Sequence, residues 1–246
     1  MKGVILAGGL GTRLYPLTKI TNKHLLPVFN KPMIYYPIEK LVSCGIKEIL
    51  IVTGGNHAGE FLRLLGNGKE FGLKEIHYTY QVGERGIADA LRLASDFAKN
   101  DKIIVILGDN IFEASLNRYV EDFRKQKEGA KILLKEIENP QRFGVAVFKG
   151  DKIYKIEEKP KKPKSKYIVT GIYMYDNRVF SYIKKLKLSK RKEYEITDIN
   201  NMYIKENLMT YDFLEGFWSD CGTIYSLLRA NLFMAKKNGI NLEELL

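Results

Sequence analysis

A glycine loop near the N-terminus combines a flexible backbone with side chains that could bind phosphate. Residues 8–13 read Gly-Gly-Leu-Gly-Thr-Arg directly after an apolar run, and Lys23 follows nearby. Glycines let backbone N–H groups approach a ligand closely, and the guanidinium fork of Arg13 matches phosphate oxygens. The loop has neither the Gly-Lys-Ser/Thr ending of a Walker A loop nor GxGxxG spacing. It therefore indicates a phosphate site of another kind, with a tight turn bearing surface cations as the structural alternative.

Two aspartates have the setting of metal ligands. Asp109 follows the apolar run 103–107, and Asp220 lies in the segment Phe-Trp-Ser-Asp-Cys-Gly-Thr at 217–223. A carboxylate at the carboxyl end of a strand lies where open α/β sheets bind ligands. Two carboxylates, completed by triphosphate oxygens and water, can hold Mg²⁺, whereas scattered histidines give little support to a zinc site. Either aspartate alone could instead cap a helix or form a turn.

Three further polar residues lie at the ends of predicted strands. Glu158 and Lys159 pair an acceptor with a cation, which suits a sugar hydroxyl beside a sugar phosphate. A charged surface turn would explain the same pair. Gln81 carries both a donor and an acceptor, so it could read the edge of a base.

The elements that must position these residues alternate between strand and helix in the first half of the chain. Apolar runs predict strands at 1–7, 48–53, 76–81 and 103–107, and amphipathic patterns predict helices at 32–45, 58–65, 86–97 and 116–127. This alternation predicts a parallel sheet with crossover helices. The glycine loop, Gln81 and Asp109 would then share the carboxyl edge of that sheet.

The second half has a different pattern, in which strands follow one another across short turns. Predicted strands cover 131–137, 144–148, 152–157, 167–175 and 209–213, and predicted helices cover 178–186, 197–206 and 223–236. Consecutive strands joined by short turns favour antiparallel pairing. With 246 residues and 45% hydrophobic content, the whole chain 1–246 is expected to form one α/β domain.

Composition excludes several classes of protein. The net charge of +11 comes from dispersed lysines and arginines with one dense run at 159–166. The sequence has no basic stripe with interleaved aromatic residues, so a nucleic-acid-binding protein is not expected. The same charge suits a small anionic substrate. No apolar stretch reaches about 18 residues, so we expect a soluble, cytoplasmic protein with no membrane partner. Cys44 and Cys221 are too few for a disulfide framework and are expected to be reduced core thiols.

Several segments, in order along the chain, resemble those of the sugar-1-phosphate nucleotidylyltransferases, which make nucleotide sugars. They are GGLGTRLYPLT at 8–18, KHLLPV at 23–28, KPMIYYP at 31–37, LGDN at 107–110, EKP at 158–160, VTGIY at 169–173 and WSDCGT at 218–223. The likeness runs from residue 1 to about 231 and is greatest to the glucose-1-phosphate thymidylyltransferases. It implies a Rossmann-like three-layer fold with a mixed, mainly parallel central sheet and a small antiparallel sugar-side lobe. A nucleotide-binding half would cover about 1–130 and a sugar-phosphate half about 131–246.

The resemblance also implies roles for individual residues. The nucleotide would be bound by Leu6, Gly8, Gly9, Gly11, Thr12, Arg13, Gln81, Gly86 and Asp109. The sugar phosphate would be bound by Gly144, Glu158, Lys159, Val169, Thr170 and Gly171. Arg13, Lys23 and Asp109 would act in catalysis, and Asp109 with Asp220 would hold Mg²⁺.

The implied reaction joins dTTP to glucose 1-phosphate, forming dTDP-glucose and pyrophosphate. A uridylyltransferase using UTP, an enzyme for another sugar 1-phosphate and a nucleotide-sugar sensor without activity remain open. The base choice is open because the frequent Gly-Leu-Ala-Gln-Ala of these enzymes is replaced by Gly-Ile-Ala-Asp-Ala at 86–90. The sequence ends at Leu246, before the helical C-terminal extension of bacterial thymidylyltransferases, so the resemblance does not extend to the feedback site that this extension helps to form, and binding of a feedback inhibitor stays open. A homo-oligomer is compatible with the sequence.

Overall fold

The predicted strands form one large sheet in a computed structural model that describes residues 1–241 and residue 243, leaving aside the side chain of Asn56. The strands are β1 Lys2–Ala7, β2 Pro27–Val28, β3 Lys31–Pro32, β4 Glu48–Gly54, β5 Glu75–Gln81, β6 Ile103–Leu107, β7 Ile111–Phe112, β8 Ala130–Glu136, β9 Gly144–Lys149, β10 Lys152–Glu158, β11 Tyr167–Tyr175, β12 Met209–Phe213 and β13 Trp218–Ser219. The helices are α1 Tyr35–Ser43, α2 Ala58–Leu65, α3 Ile87–Arg92, α4 Ser95–Ala98, α5 Asn117–Lys125, α6 Arg178–Ile183, α7 Ile196–Lys205 and α8 Ile224–Lys237.

The sheet has nine strands and is mixed. On one side, β5, β4, β1 and β6 are parallel neighbours in that order. Next to β6 lies β11, which is antiparallel to it and to β8, while β12 pairs with β8 in parallel. The hairpin of β9 and β10 joins the first half of β11 at the pair Ile168 and Val145. The antiparallel strands predicted for the second half thus extend the parallel sheet of the first.

Apolar residues on both faces of the central strands explain the three layers. Successive side chains of β1 alternate between two cores, with Ile5 in one and Val4 in the other. The first core also contains residues of α1, α2 and α5, and the second contains residues of α3, α6 and α7. Strands buried on both faces read as continuous apolar runs, which is why the sequence identified them. The three-layer, mainly parallel α/β fold is therefore confirmed.

Two helix predictions need correction. The predicted helix 86–97 is interrupted, because Leu93 N and Ala94 N bond three residues back, to Ala90 and Leu91, and separate α3 from α4. The helix predicted to begin at Pro32 begins instead at Tyr35. Pro32 lies in β3, where the chain folds back so that the following Met33 N donates to Leu26 O at 2.9 Å. Tertiary pairing overrides helix propensity at both places.

Two remaining predictions concern the cysteines and the membrane. Cys44 and Cys221 are both buried and free, as expected, and burial raises the pKa of each thiol. Among the described residues, no helix combines the length and the apolar character needed to cross a bilayer.

Candidate active site

Two adjoining cavities open at the carboxyl ends of β1, β5 and β6. Their volumes are about 460 Å³ and about 330 Å³. Four residues line both of them: Ile87, Leu107, Asp109 and Glu193. Asp109 follows β6 through a short turn, so the parallel sheet brings it to the junction of the two cavities, as expected for a ligand site in an open α/β fold.

The smaller cavity collects most of the residues predicted to bind the nucleotide. It is lined by Leu6, Gly8, Gly9, Gln81, Gly86 and Asp109, together with Lys23 and His24. Gly11 and Thr12 line neither cavity, and Arg13 lines the larger one instead. The loop thus divides, with Gly8 and Gly9 in the wall of the smaller cavity and Arg13 in the wall of the larger one.

The larger cavity collects the residues predicted for the sugar phosphate, with one exception. It is lined by Gly144, Glu158, Lys159, Val169 and Gly171, and also by Asp220. Thr170 does not line it, because side chains alternate along β11 and that of Thr170 lies on the opposite face. Its hydroxyl is fully buried and donates to Leu133 O at 2.9 Å. The side chain of Thr170 is therefore part of the core.

Asp109 is held as an anion between cationic and neutral partners. Its Oδ2 lies 2.5 Å from Lys23 Nζ, and its Oδ1 accepts a hydrogen bond from Asn110 Nδ2 at 3.0 Å. Burial by itself would raise the pKa of Asp109, but Lys23, with a smaller contribution from Asn110, lowers it overall. Burial, reinforced by Lys23, lowers the pKa of His24 to about 3, so its imidazole is neutral.

Asn110 ties the end of β6 to β11 and β13. It is almost fully buried, and its Oδ1 accepts from Gly171 N at 3.1 Å and from Trp218 Nε1 at 2.8 Å. A Cβ atom on Gly171 would lie 2.6 Å from Asn110 Nδ2, so only glycine allows this approach. The side-chain amide of Asn110 therefore connects β6, β11 and β13 next to Asp109.

Asp220 lies near two arginines, Arg142 and Arg13. Arg142 Nη2 is 3.4 Å from Asp220 Oδ2. A Cβ atom on Gly222 would lie 3.1 Å from Arg13 Nη2, which places that guanidinium beside the Asp220 turn. Arg142 was not predicted, since it comes from a short turn before β9 whose sequence signals only charge.

Glu158 is oriented by side chains that sequence reasoning missed. Its Oε2 accepts from Thr197 Oγ1 at 2.5 Å, and its Oε1 accepts from Arg191 Nη1 at 3.1 Å. Lys159 Nζ stays 3.9 Å from Glu158 and the side chain is 42% exposed, so its ammonium remains available to a ligand. Arg191 and Thr197 come from the loop before α7 and from α7 itself, far from Glu158 in sequence.

Gly86 joins the two halves of the chain at the mouth of the smaller cavity. Its φ is 98°, and a Cβ atom there would lie 2.6 Å from Tyr194 O. The loop containing Tyr194 is held by Tyr194 N donating to Arg85 O at 2.8 Å. A residue other than glycine would therefore push this loop away from the cavity.

Asp109 and Asp220 could hold a hard cation only if another molecule supplies further oxygen ligands. Among residues 1–241 and 243, no group of three or more His, Cys, Asp or Glu side chains could hold a metal ion. Asp109 and Asp220 both line the larger cavity and offer only oxygen donors. This donor set suits Mg²⁺ when phosphate oxygens supply the remaining ligands.

Comparisons with known proteins agree with this geometry. The model of the nucleotidyl transferase family matches residues 2–237. A glucose-1-phosphate thymidylyltransferase of Neisseria meningitidis serogroup A is 44% identical over 238 residues, which cover 95% of this chain and 82% of that protein. One from Mycolicibacterium smegmatis is 42% identical over 242 residues, with 95% and 82% covered.

Solved structures give the same picture. A Bacillus anthracis structure in complex with sucrose, provisionally assigned as a glucose-1-phosphate thymidylyltransferase, has a TM-score of 0.90 at 56% identity and covers 98% of this chain and 96% of that one. UDP-glucose pyrophosphorylase complexed with UDP-glucose has a TM-score of 0.84 at 23% identity, covering 96% and 98%. The second likeness shows the shared fold.

Proposed function

Because the chain belongs to the nucleotidyl transferase family, we propose that it transfers a thymidylyl group from dTTP to glucose 1-phosphate, forming dTDP-glucose and pyrophosphate. One observation carries the proposal: a cavity with the glycine loop and Gln81 and a cavity with Glu158 and Lys159 meet at Asp109. A reaction that joins two phosphates needs two such sites in contact. The relatives named glucose-1-phosphate thymidylyltransferase support this choice of substrates.

The smaller cavity is the site for the nucleotide. Gly8 and Gly9 allow the triphosphate to approach the backbone, and Lys23 supplies a cation beside Asp109. Gln81 and the backbone N–H of Gly86, which line this cavity, would contact the edge of a pyrimidine. Within residues 1–241 and 243, the N–H of Gly86 forms no backbone hydrogen bond, so it can donate to a base carbonyl.

The larger cavity is the site for the sugar phosphate. Glu158, held by Thr197 and Arg191, presents a fixed carboxylate for sugar hydroxyls. Lys159 provides the cation for the phosphate group, and Gly144 leaves room beside the carboxylate. Val169 and Gly171 contribute the wall formed by β11.

The chemistry is an in-line displacement. An oxygen of the sugar phosphate attacks the α-phosphorus of dTTP, the bond from that phosphorus to the bridging oxygen breaks, and pyrophosphate leaves. Arg13, Lys23 and Lys159 hold the reacting phosphates together and offset their negative charge, so no covalent nucleophile is needed. A bound Mg²⁺, held by Asp109 and Asp220, would neutralise further charge on the triphosphate.

The alternatives are weaker. A nucleotide-sugar sensor without activity would not need both carboxylates and both cations of the junction, and Asp109, Asp220, Arg13 and Lys23 all lie there. A uridylyltransferase remains the nearest rival, because thymine and uracil share the edge that Gln81 faces. One methyl group is worth only about 1–3 kcal/mol, so we expect measurable use of UTP beside a preference for dTTP.

A matrix of substrates tests the proposal. Pyrophosphate release is measured for dTTP, UTP, ATP, CTP and GTP, each with the 1-phosphates of glucose, galactose and N-acetylglucosamine. We expect the highest kcat/KM for dTTP with glucose 1-phosphate. A preference for ATP or GTP, or no pyrophosphate release with any pair, would contradict the proposal.

A further inference from the structure

Asp89 is a buried carboxylate that contacts the base-reading glutamine. It lies in α3 and is only 5% exposed. Its Oδ2 accepts a hydrogen bond from Gln81 Nε2 at 3.1 Å. Asp89 lines neither cavity, so any effect on the substrate passes through Gln81.

The amide hydrogens of Gln81 are both used inside the protein. Besides Asp89, the Nε2 atom donates to Gly86 O at 3.3 Å. The Oε1 atom lies against the glycine loop, since a Cβ atom on Gly8 would be 3.1 Å from it. Within residues 1–241 and 243 no group donates to Oε1. Gln81 therefore offers its cavity an acceptor and no donor.

Asp89 makes the reverse orientation of the amide unfavourable. If the amide turned over, Oε1 would face the carboxylate and the Gly86 carbonyl, and three acceptors would meet without a proton between them. The other carboxylate oxygen, Oδ1, is engaged by Arg92 Nη2 at 3.3 Å. The geometry thus leaves Oδ2 of Asp89 to accept from Gln81.

We propose that Asp89 is a positioning residue that selects the base by locking Gln81 as an acceptor. A locked Oε1 can accept the N3–H of thymine or uracil, whereas cytosine presents an unprotonated N3 and is rejected. The contact of Gln81 is then limited to the N3–H, and a base carbonyl must be read by another group. This inference rests on the proposed function and adds to it the residue that excludes cytosine.

Asp89→Asn is the variant that tests the lock. Asparagine has the same shape but can offer Gln81 an N–H₂ group in place of the carboxylate oxygen. The reverse orientation of the Gln81 amide then gains a donor at residue 89, and only the longer contact with Gly86 O, at 3.3 Å, still opposes it. We measure kcat/KM for dTTP, UTP and CTP with glucose 1-phosphate. The ratio of CTP to dTTP is expected to rise at least tenfold, while the ratio of UTP to dTTP stays within twofold of the wild-type value.

The ratios separate positioning from general damage. Removing a negative charge near an anionic substrate changes the affinity for all nucleotides alike, and partial unfolding lowers all activities alike, so neither changes a ratio. Asp96→Asn, the same substitution at an exposed position of α4, should leave both ratios unchanged. If Asp89→Asn is insoluble, Asp89→Ser is used, because a hydroxyl also donates or accepts.

The outcomes distinguish the two proposals. An unchanged ratio of CTP to dTTP in an enzyme that prefers dTTP or UTP would overturn the lock and leave the proposed function standing. A ratio of UTP to dTTP that shifts as much as that of CTP to dTTP would also overturn it, because the change would then not concern N3. A wild-type preference for purine nucleotides would overturn the proposed function and the lock with it.

Discussion

The segment 8–20 and the floor of the larger cavity serve one proposed reaction, but the protein holds them very differently. In the segment, Leu10 is 50% exposed and Ile20 is 81% exposed. Arg13 forms no salt bridge within the part of the chain that the structure describes. The floor consists of Asn110, Glu158, Gly171 and Trp218, whose polar groups are tied to one another or to the protein.

This difference predicts a division of labour between binding and turnover. A floor that is fixed in advance loses little entropy when the sugar phosphate binds, so its contacts should contribute mainly to ground-state affinity. An exposed cation such as Arg13 can make its best contact as charge moves to the leaving pyrophosphate, so it should contribute mainly to kcat. Changes at Asp109 and Asp220, where the two regions meet, should therefore have larger effects than changes within either region.

Removing divalent cations should have the largest effect, because it affects both regions together. Without a cation, Asp109 and Asp220 would face the triphosphate with their charge offset only by Lys23 and the arginines. Treatment with EDTA should abolish pyrophosphate release, and added Mg²⁺ should restore it. Activity that survives exhaustive chelation would show that the carboxylates do not act through a metal.

Asp109→Asn should come next, with a loss of roughly 10²–10⁴ in kcat, because its carboxylate lies at the junction of the two cavities. Asp220→Asn should lose activity to a similar degree. Asp122→Asn, an exposed position of α5, is the matched control and should be fully active. Near-normal turnover in either variant, with an unchanged circular dichroism spectrum, would exclude that aspartate as a metal ligand.

The junction also shows what sequence can and cannot predict. Asp109 and the glycine loop were predictable because apolar parallel strands end beside them, and β1 and β6 are neighbours in the sheet. Arg142 and Arg191 were not predictable, since they reach the site from turns whose sequences show only charge. Their partners, Asp220 and Glu158, lie far along the chain and are joined only by the tertiary fold.

Local pattern was also insufficient for the shortest elements. The strands β7 and β13 have two residues each, too few for any periodicity, yet they pair Phe112 with Trp218 beside Asn110. The interruption between α3 and α4 left no mark in the apolar pattern. In both cases the deciding interactions are long-range and outweigh local propensity.

Arg13→Ala should show the property expected of the exposed segment 8–20. We expect kcat to fall by about 10²-fold, because the charge that develops on the leaving pyrophosphate loses a cationic partner, with a smaller rise in the KM for dTTP. Steady-state kinetics in both substrates measure this, and Arg63→Ala on the exposed side of α2 serves as control. A change confined to KM would mean that Arg13 binds the ground and transition states equally.

Lys159→Ala should act on the sugar-phosphate side, where Lys159 adjoins Glu158 of the floor. The KM for glucose 1-phosphate should rise about tenfold, because an ammonium group to one phosphate contributes binding on the order of 1.4 kcal/mol. The KM for dTTP should stay within twofold. Lys161→Ala, an exposed lysine of the same run, is the control. A defect seen only with the nucleotide would move Lys159 to the other cavity.

Thr170→Val should have the smallest effect on catalysis. It distinguishes a residue that stabilises the core from one that contacts the substrate in the larger cavity. The pairing of β11 with β8 shifts register between Val169 and Tyr173, and in this interval the Thr170 hydroxyl donates to Leu133 O. Valine has the same shape but no donor, so the variant should lose about 1 kcal/mol of stability, a fall in Tm of roughly 2–4 °C. The kinetics for both substrates should stay within twofold of the wild type, because side chains of the opposite face line the cavity.

Differential scanning calorimetry and steady-state kinetics on the same preparation test both statements. A rise in the KM for glucose 1-phosphate with no change in Tm would mean that the Thr170 hydroxyl turns toward the sugar, and that the floor is less rigid than its hydrogen bonds indicate.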